Sequence, residues 1–124
     1  MNFCRSFLLF LLTISSVIAQ TEKPKEPIGP VSYYRDIRRI FQQNCQGCHQ
    51  PAKTLGGYVM TSYNDALKPG DTGNPAIVPG QPEKSELITQ IKVGGDNKSL
   101  MPKNKEPLSA TDRALIERWI REGA

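Results

Sequence analysis

Five consecutive residues, Cys45-Gln46-Gly47-Cys48-His49, constrain this chain more than any other feature. They hold its only histidine and two of its three cysteines. Two thiols at this spacing, at the end of a helix, can each add to one of the two vinyl groups of a haem. The residue that follows then places an imidazole under the ring, where it can bind iron. Gly47 suits the tight backbone that brings both sulphurs to one porphyrin edge. Two other chemistries use paired cysteines. A redox disulfide of the thioredoxin type belongs in a βαβ setting, and no strand alternation surrounds this pair. A closed structural zinc site wants four ligands, where Cys45, Cys48 and His49 supply three. The expectation is therefore one covalently held haem on Cys45 and Cys48, with His49 as an iron ligand.

The N-terminus fits that expectation. Phe7 to Ile18 is a short apolar run preceded by Arg5, and small residues lead to a cut near Ala19/Gln20, the pattern of an export signal. The run is too short for a membrane span of about 20 apolar residues, so membrane contact is expected only if the segment stays uncleaved. Cleavage removes Cys4 and resolves the odd thiol count that an oxidising compartment would otherwise leave. It also removes Arg5, so the formal charge of +4 falls to +3. The lysines are spread along the chain and form no block, which argues against nucleic acid as a partner. The expected division is a signal peptide over residues 1–19, a charged, Pro-rich flexible leader over 20–30, and one folded domain over 31–124. The location is the periplasm or another exported compartment.

Within the domain the periodicity is helical. Tyr33, Ile37, Ile40 and Phe41 lie on one face of a helix over Ser32 to Cys45, with Ser32 as N-cap. Ser62 to Asp65 reads as a capping box opening a short helix that Pro69-Gly70 stops. Pro82 is placed to begin a third helix carrying Leu87, Ile88 and Ile91. Ser109 to Asp112 is a second capping box, and Leu115, Ile116, Trp119 and Ile120 line a last helix that ends at Gly123. The architecture expected is all-α, with about four short helices joined by long loops rich in Gly and Pro. Such a chain has few large apolar side chains, and small domains of this kind usually need a disulfide, a metal or a cofactor to complete a core.

A sixth iron ligand cannot be a second histidine. Met101, in the Pro-stiffened loop Ser99-Leu100-Met101-Pro102-Lys103, is the favoured candidate. Met60 is the alternative, and otherwise a gap-filling core residue. His/Met ligation raises the potential relative to ligation by nitrogen alone and closes the iron to small molecules, which suits one-electron transfer. A ligating imidazole usually donates its other N–H to a carbonyl, and Pro79 is one candidate acceptor. Leu55, Tyr58, Tyr63, Ile77, Leu87, Ile88, Ile91, Leu100 and Trp119 are candidates to enclose the ring, with Phe41 and Trp119 also placed to pack the first helix on the last. Lys53, Lys68, Lys84, Lys98, Lys103 and Lys105 sit on the loops that would rim it, where they would steer acidic redox partners.

Helix, CQGCH, short loops, a Met-Pro loop and a terminal helix with Trp, in that order, resemble class I cytochromes c. Three stretches are similar, more specifically, to the planctomycete-type cytochrome c domain: VSYYRDIRRIFQQNCQGCHQPAK, GGYVMTSYNDALKPGDTGNPAIVPGQPEKSELI and MPKNKEPLSATDRALIERWIREGA. Together they run from Val31 to Ala124. The resemblance implies a fold whose first and last helices cross beside the haem, thioether links at Cys45 and Cys48, and His49 and Met101 as the axial pair. It also implies an electron carrier and not an enzyme, either free or as the electron-transfer subunit of a larger oxidoreductase. The competing readings are a haem sensor or enzyme subunit whose methionine leaves the iron, and a thiol–disulfide protein.

Overall fold

The computed structural model describes residues 27–124. The expected signal peptide, Cys4 and the leader as far as residue 26 lie outside the described residues. Four α-helices carry the fold among those described: α1 (Arg38–Asn44), α2 (Tyr63–Ala66), α3 (Glu86–Ile91) and α4 (Ala110–Arg121).

The first helix does not begin as an α-helix. Tyr33–Ile37 winds one π-helical turn, in which the N–H of Arg38 reaches back to the carbonyl of Tyr33, before α1 proper. The Ser32 carbonyl accepts from both Asp36 (2.8 Å) and Ile37 (3.3 Å). The expected N-cap is in place, with Ser32 Oγ accepting from Arg35 N at 3.4 Å. The Asp36 carboxylate returns the favour by accepting from Ser32 N at 2.8 Å. The face written by Tyr33, Ile37, Ile40 and Phe41 is buried.

That face packs on α4, whose Leu115, Ile116, Trp119 and Ile120 are buried as their spacing predicts. The seam is aromatic. Phe41 meets Trp119 edge-to-face with ring centroids 6.2 Å apart, and Tyr33 lies 5.7 Å from Trp119 and 5.3 Å from Tyr63. Arrangements of this kind add about 0.5–1.5 kcal/mol each to the burial of the rings. The α4 ends are closed locally. Ser109 Oγ accepts from Asp112 N (3.0 Å), and Gly123, at φ +113°, forms a Schellman turn with bonds from Gly123 N to Ile120 O and from Ala124 N to Trp119 O, both 3.0 Å. Arg118 and Glu122 tie the start of the described chain to this helix. Arg118 donates to the carbonyls of Pro27 (3.3 Å) and Gly29 (2.8 Å), and Glu122 accepts from Val31 N (2.7 Å).

Two departures have local causes. The helix expected from Pro82 is split into a 3-10 turn (Pro82–Lys84) and α3, because Ser85 between them is extended and 1% exposed. Its hydroxyl accepts from Val78 N (2.9 Å) and donates to Gln81 O (3.1 Å), so a bond to a distant turn outweighs helix continuity. The second departure is a two-stranded antiparallel ladder, β1 (His49–Gln50) and β2 (Lys53–Thr54), in register His49↔Thr54, where an all-α chain was expected. Pro51-Ala52 forms the turn between them. No helix among the described residues is long and apolar enough to cross a membrane.

Candidate functional site

The pentapeptide at the end of α1 is a compact turn. Cys45 N and Gln46 N both donate to Phe41 O at 2.9 Å, and Cys48 N and His49 N both donate to Cys45 O at 3.0 Å. Gly47 is not what makes the turn possible: its φ is not left-handed, and a Cβ there would meet nothing within 4 Å.

A second segment, Tyr58-Val59-Met60, lies along this turn and braces it. Met60 N donates to His49 O (2.9 Å), and Gln46 Nε2 donates to Met60 O (2.8 Å). His49 Nδ1 stands 3.3 Å from the carbonyl of Tyr58. A carbonyl only accepts, so in the neutral imidazole this contact selects the tautomer with its proton on Nδ1, which leaves the Nε2 lone pair for a metal. The Pro79 carbonyl does not fill this role. Its turn is held elsewhere, with Gly80 N bonded to Ile120 O at 2.7 Å and Val78 N to Ser85. Nothing in the sequence could have singled out Tyr58 as the acceptor, because a backbone carbonyl has no residue signature.

Cys45 and Cys48 are free thiols, both half-buried. Burial pushes the Cys45 thiol up to about 12, against an opposing influence from the Lys105 ammonium. A thiol–disulfide exchange nucleophile needs the opposite shift.

The two methionines differ. Met60 is 2% exposed and belongs to the hydrophobic core. Met101 is half-buried, packs against that core from an irregular segment, and donates its N–H to Gln90 O on α3 (2.8 Å). Ser99 Oγ donates to the Met101 carbonyl at 2.7 Å. No bond joins Met101 to His49 among the described residues.

Two leucines in this region are uncovered. Leu55, whose N–H donates to Cys48 O (3.1 Å), is 52% exposed, and Leu100, beside Met101, is 63% exposed. Large apolar side chains left in water beside the paired thiols and beside the loop methionine are what a flat apolar group would cover. The donor set fits a haem: two thiols, an imidazole with one nitrogen free, and a thioether on a loop. No group of three or more His, Cys, Asp or Glu side chains is arranged to hold a metal ion among the described residues.

Residues 45–105 match the family model described as Planctomycete cytochrome C. The chain carries a planctomycete-type cytochrome c domain. The matched stretch begins at Cys45 and takes in His49, Met60 and Met101. A domain of this family is a haem protein of electron transfer. No curated protein and no solved structure gives a significant match.

Proposed function

We propose that this protein is an exported monohaem cytochrome c that carries single electrons between redox partners. Cys45 and Cys48 would hold the haem through two thioether bonds, and His49 and Met101 would supply the ligands to its iron. The observation that carries this reading is the brace around His49. The turn Cys45–His49 and the segment Tyr58–Met60 fix an imidazole with Nδ1 occupied and Nε2 free, directly beside two free thiols.

When bound, the haem supplies the one-electron iron couple. The chain does the rest. His49 Nε2 donates a lone pair, and the Tyr58 carbonyl holds the ring in one tautomer. Met101 is favoured over Met60 because it sits on a loop beside uncovered apolar surface, while Met60 is sealed in the core. A thioether ligand keeps water and small molecules off the iron and favours the reduced state. Leu55 and Leu100 exclude water from the edges of the ring.

Charge supports an acidic redox partner. Among the described residues Lys53, Lys84, Lys98, Lys103 and Lys105 form no salt bridge, whereas Lys68 is tied to Asp65 (2.9 Å) and the arginines Arg35, Arg118 and Arg121 are paired with acids. Arg38, Arg39, Lys92 and Arg113 are likewise without an ion pair, and the five lysines add unpaired positive charge outside the α-helices, where it can steer an approaching anionic surface.

The test is spectroscopic and kinetic. Purified from an oxidising compartment, the reduced protein should give a c-type α-band, should not bind carbon monoxide rapidly, and should exchange electrons with an acidic partner more slowly as salt is raised. A reduced protein without the α-band contradicts the haem reading. Rapid carbon monoxide binding by the native form favours a sensor or enzyme subunit instead.

A further inference from the structure

Tyr58 contributes twice to the surroundings of His49, and the two contributions come from opposite ends of one residue. Its carbonyl is 3.3 Å from His49 Nδ1. Its phenol donates a 2.6 Å hydrogen bond to the carbonyl of Ala66, at the end of α2. Between these ends the ring lies edge-on to the imidazole, with centroids 5.6 Å apart and planes at 62°. Ala66 itself is fully buried. The residue is thus pinned at its side-chain tip to a rigid point and presents its backbone oxygen to the histidine.

The neighbouring bonds keep that oxygen from drifting along the chain. Two residues on, Met60 is held at both its N–H and its carbonyl, by His49 O and by Gln46 Nε2. On the other side, Gly70 packs close under Tyr58: a Cβ at position 70 would come within 3.2 Å of the Tyr58 Cβ and 2.5 Å of Gly56 O.

We propose that Tyr58 is a positioning residue for the iron-ligating imidazole: its carbonyl takes the Nδ1 proton of His49, and its phenol, anchored on Ala66, fixes where that carbonyl stands. This inference rests on the haem reading given above. A firm Nδ1–H···O=C bond pushes electron density onto the imidazole and makes it a better donor to iron. Loosening the bond weakens that donation and favours the reduced iron, so the potential should rise.

The test compares Tyr58→Phe with Tyr63→Phe in the haem-loaded full chain. Tyr63 is a fair control: although the sequence offers it as a candidate to enclose the ring, the structure packs it against Tyr33 in the aromatic seam (5.3 Å), its hydroxyl donates to Ala124 O (2.9 Å), and it makes no bond to His49. Covalent haem is first established by mass. If none is present, the haem reading fails and Tyr58 is not the cause. With haem present, the His49 Nδ1 proton of the reduced wild type should be visible by NMR and protected from solvent. Its exchange should speed up about fivefold or more in Tyr58→Phe, the factor expected from losing one modest hydrogen bond in the chain of contacts. The potential should rise in the same variant, and neither quantity should move in Tyr63→Phe. Should Tyr58→Phe fail to fold, the wild-type measurement still decides. An unprotected Nδ1 proton, or one whose nuclear Overhauser contacts lie away from Tyr58 and Val59, overturns the proposal. So does an equal exchange rate in the two variants.

Discussion

At the scale of single residues, the two methionines make opposite predictions. Met101→Ala should leave the covalent link intact, lower the reduction potential and open a coordination site, read as new carbon monoxide binding by the reduced form. An unchanged potential would point to Met60. Met60→Ala should instead act as a core truncation, because its side chain is 2% exposed. A loss of about 2–5 kcal/mol in denaturant unfolding is expected of a buried methionine cut to alanine. Tyr33 makes a third case. Its hydroxyl is buried with no hydrogen-bond partner, inside a ring of Tyr63, Phe41 and Trp119. Burial also raises its pKa above the ordinary phenol value. An unsatisfied buried polar atom costs roughly 1–3 kcal/mol. Tyr33→Phe removes the atom and keeps the ring, so the thermal midpoint should rise. A fall would show that the hydroxyl has a partner in the working protein.

At the scale of elements, the helix ends carry the acid sensitivity. Asp36 is held below the usual carboxylate range first by its bond from Arg35 and, against the cost of burial, by the bond from Ser32 N. Glu122 is lowered by the bond from Val31 N and then by Arg118. In both groups the folded-state pKa lies below the unfolded one. Their contribution is therefore present above the unfolded carboxylate pKa and is lost as pH falls through it toward the folded value. Unfolding followed from pH 7 downward should show stability flat until the carboxylate range and declining below it. Asp36→Asn should flatten part of that decline and cost about 1 kcal/mol at neutral pH, as loss of a helix cap does. A decline unchanged in the variant would mean Asp36 plays no part.

The elements also show why some of this fold was legible and some was not. The last helix could be read because its signals are local: Ser109 and Asp112 cap it, four large residues share a face, and Gly123 ends it. Ser62 and Asp65 did the same for α2, with Ser62 Oγ bonded to Asp65 N at 3.1 Å. The π turn before α1 was not legible, because one inserted residue leaves the apolar face in place. The break at Ser85 depends on Val78, and the pairing of His49 with Thr54 spans only two residues on each strand, too few for alternation to register. At the site, the spacing of Cys45, Cys48 and His49 singles out these residues, and the structure gathers them on one turn. The brace of Gln46, Tyr58 and Met60 is not legible, since all three of its bonds end on backbone carbonyls, which carry no residue signature.

For the whole molecule, the proposed attachment through the paired cysteines bears on stability as well. The core of the described residues is one cluster, an aromatic seam between α1 and α4 continuous with Ile77, Leu87 and Ile91, while Leu55 and Leu100 remain in water. A domain this loop-rich is expected to complete its interior with the cofactor we propose. Replacing Cys45 and Cys48 together by serine should give a chain without covalent haem that melts broadly and at lower temperature. A sharp, native-like melt of that double variant would show that the polypeptide folds unaided.

The most direct measurement is the mass of the intact chain under denaturing conditions, after expression with the machinery for covalent haem attachment. The expected result is the polypeptide plus the mass of one haem, with the addition lost when Cys45 and Cys48 are both replaced. A chain carrying no added mass, or one lighter by the two hydrogens of a Cys45–Cys48 disulfide, would contradict it.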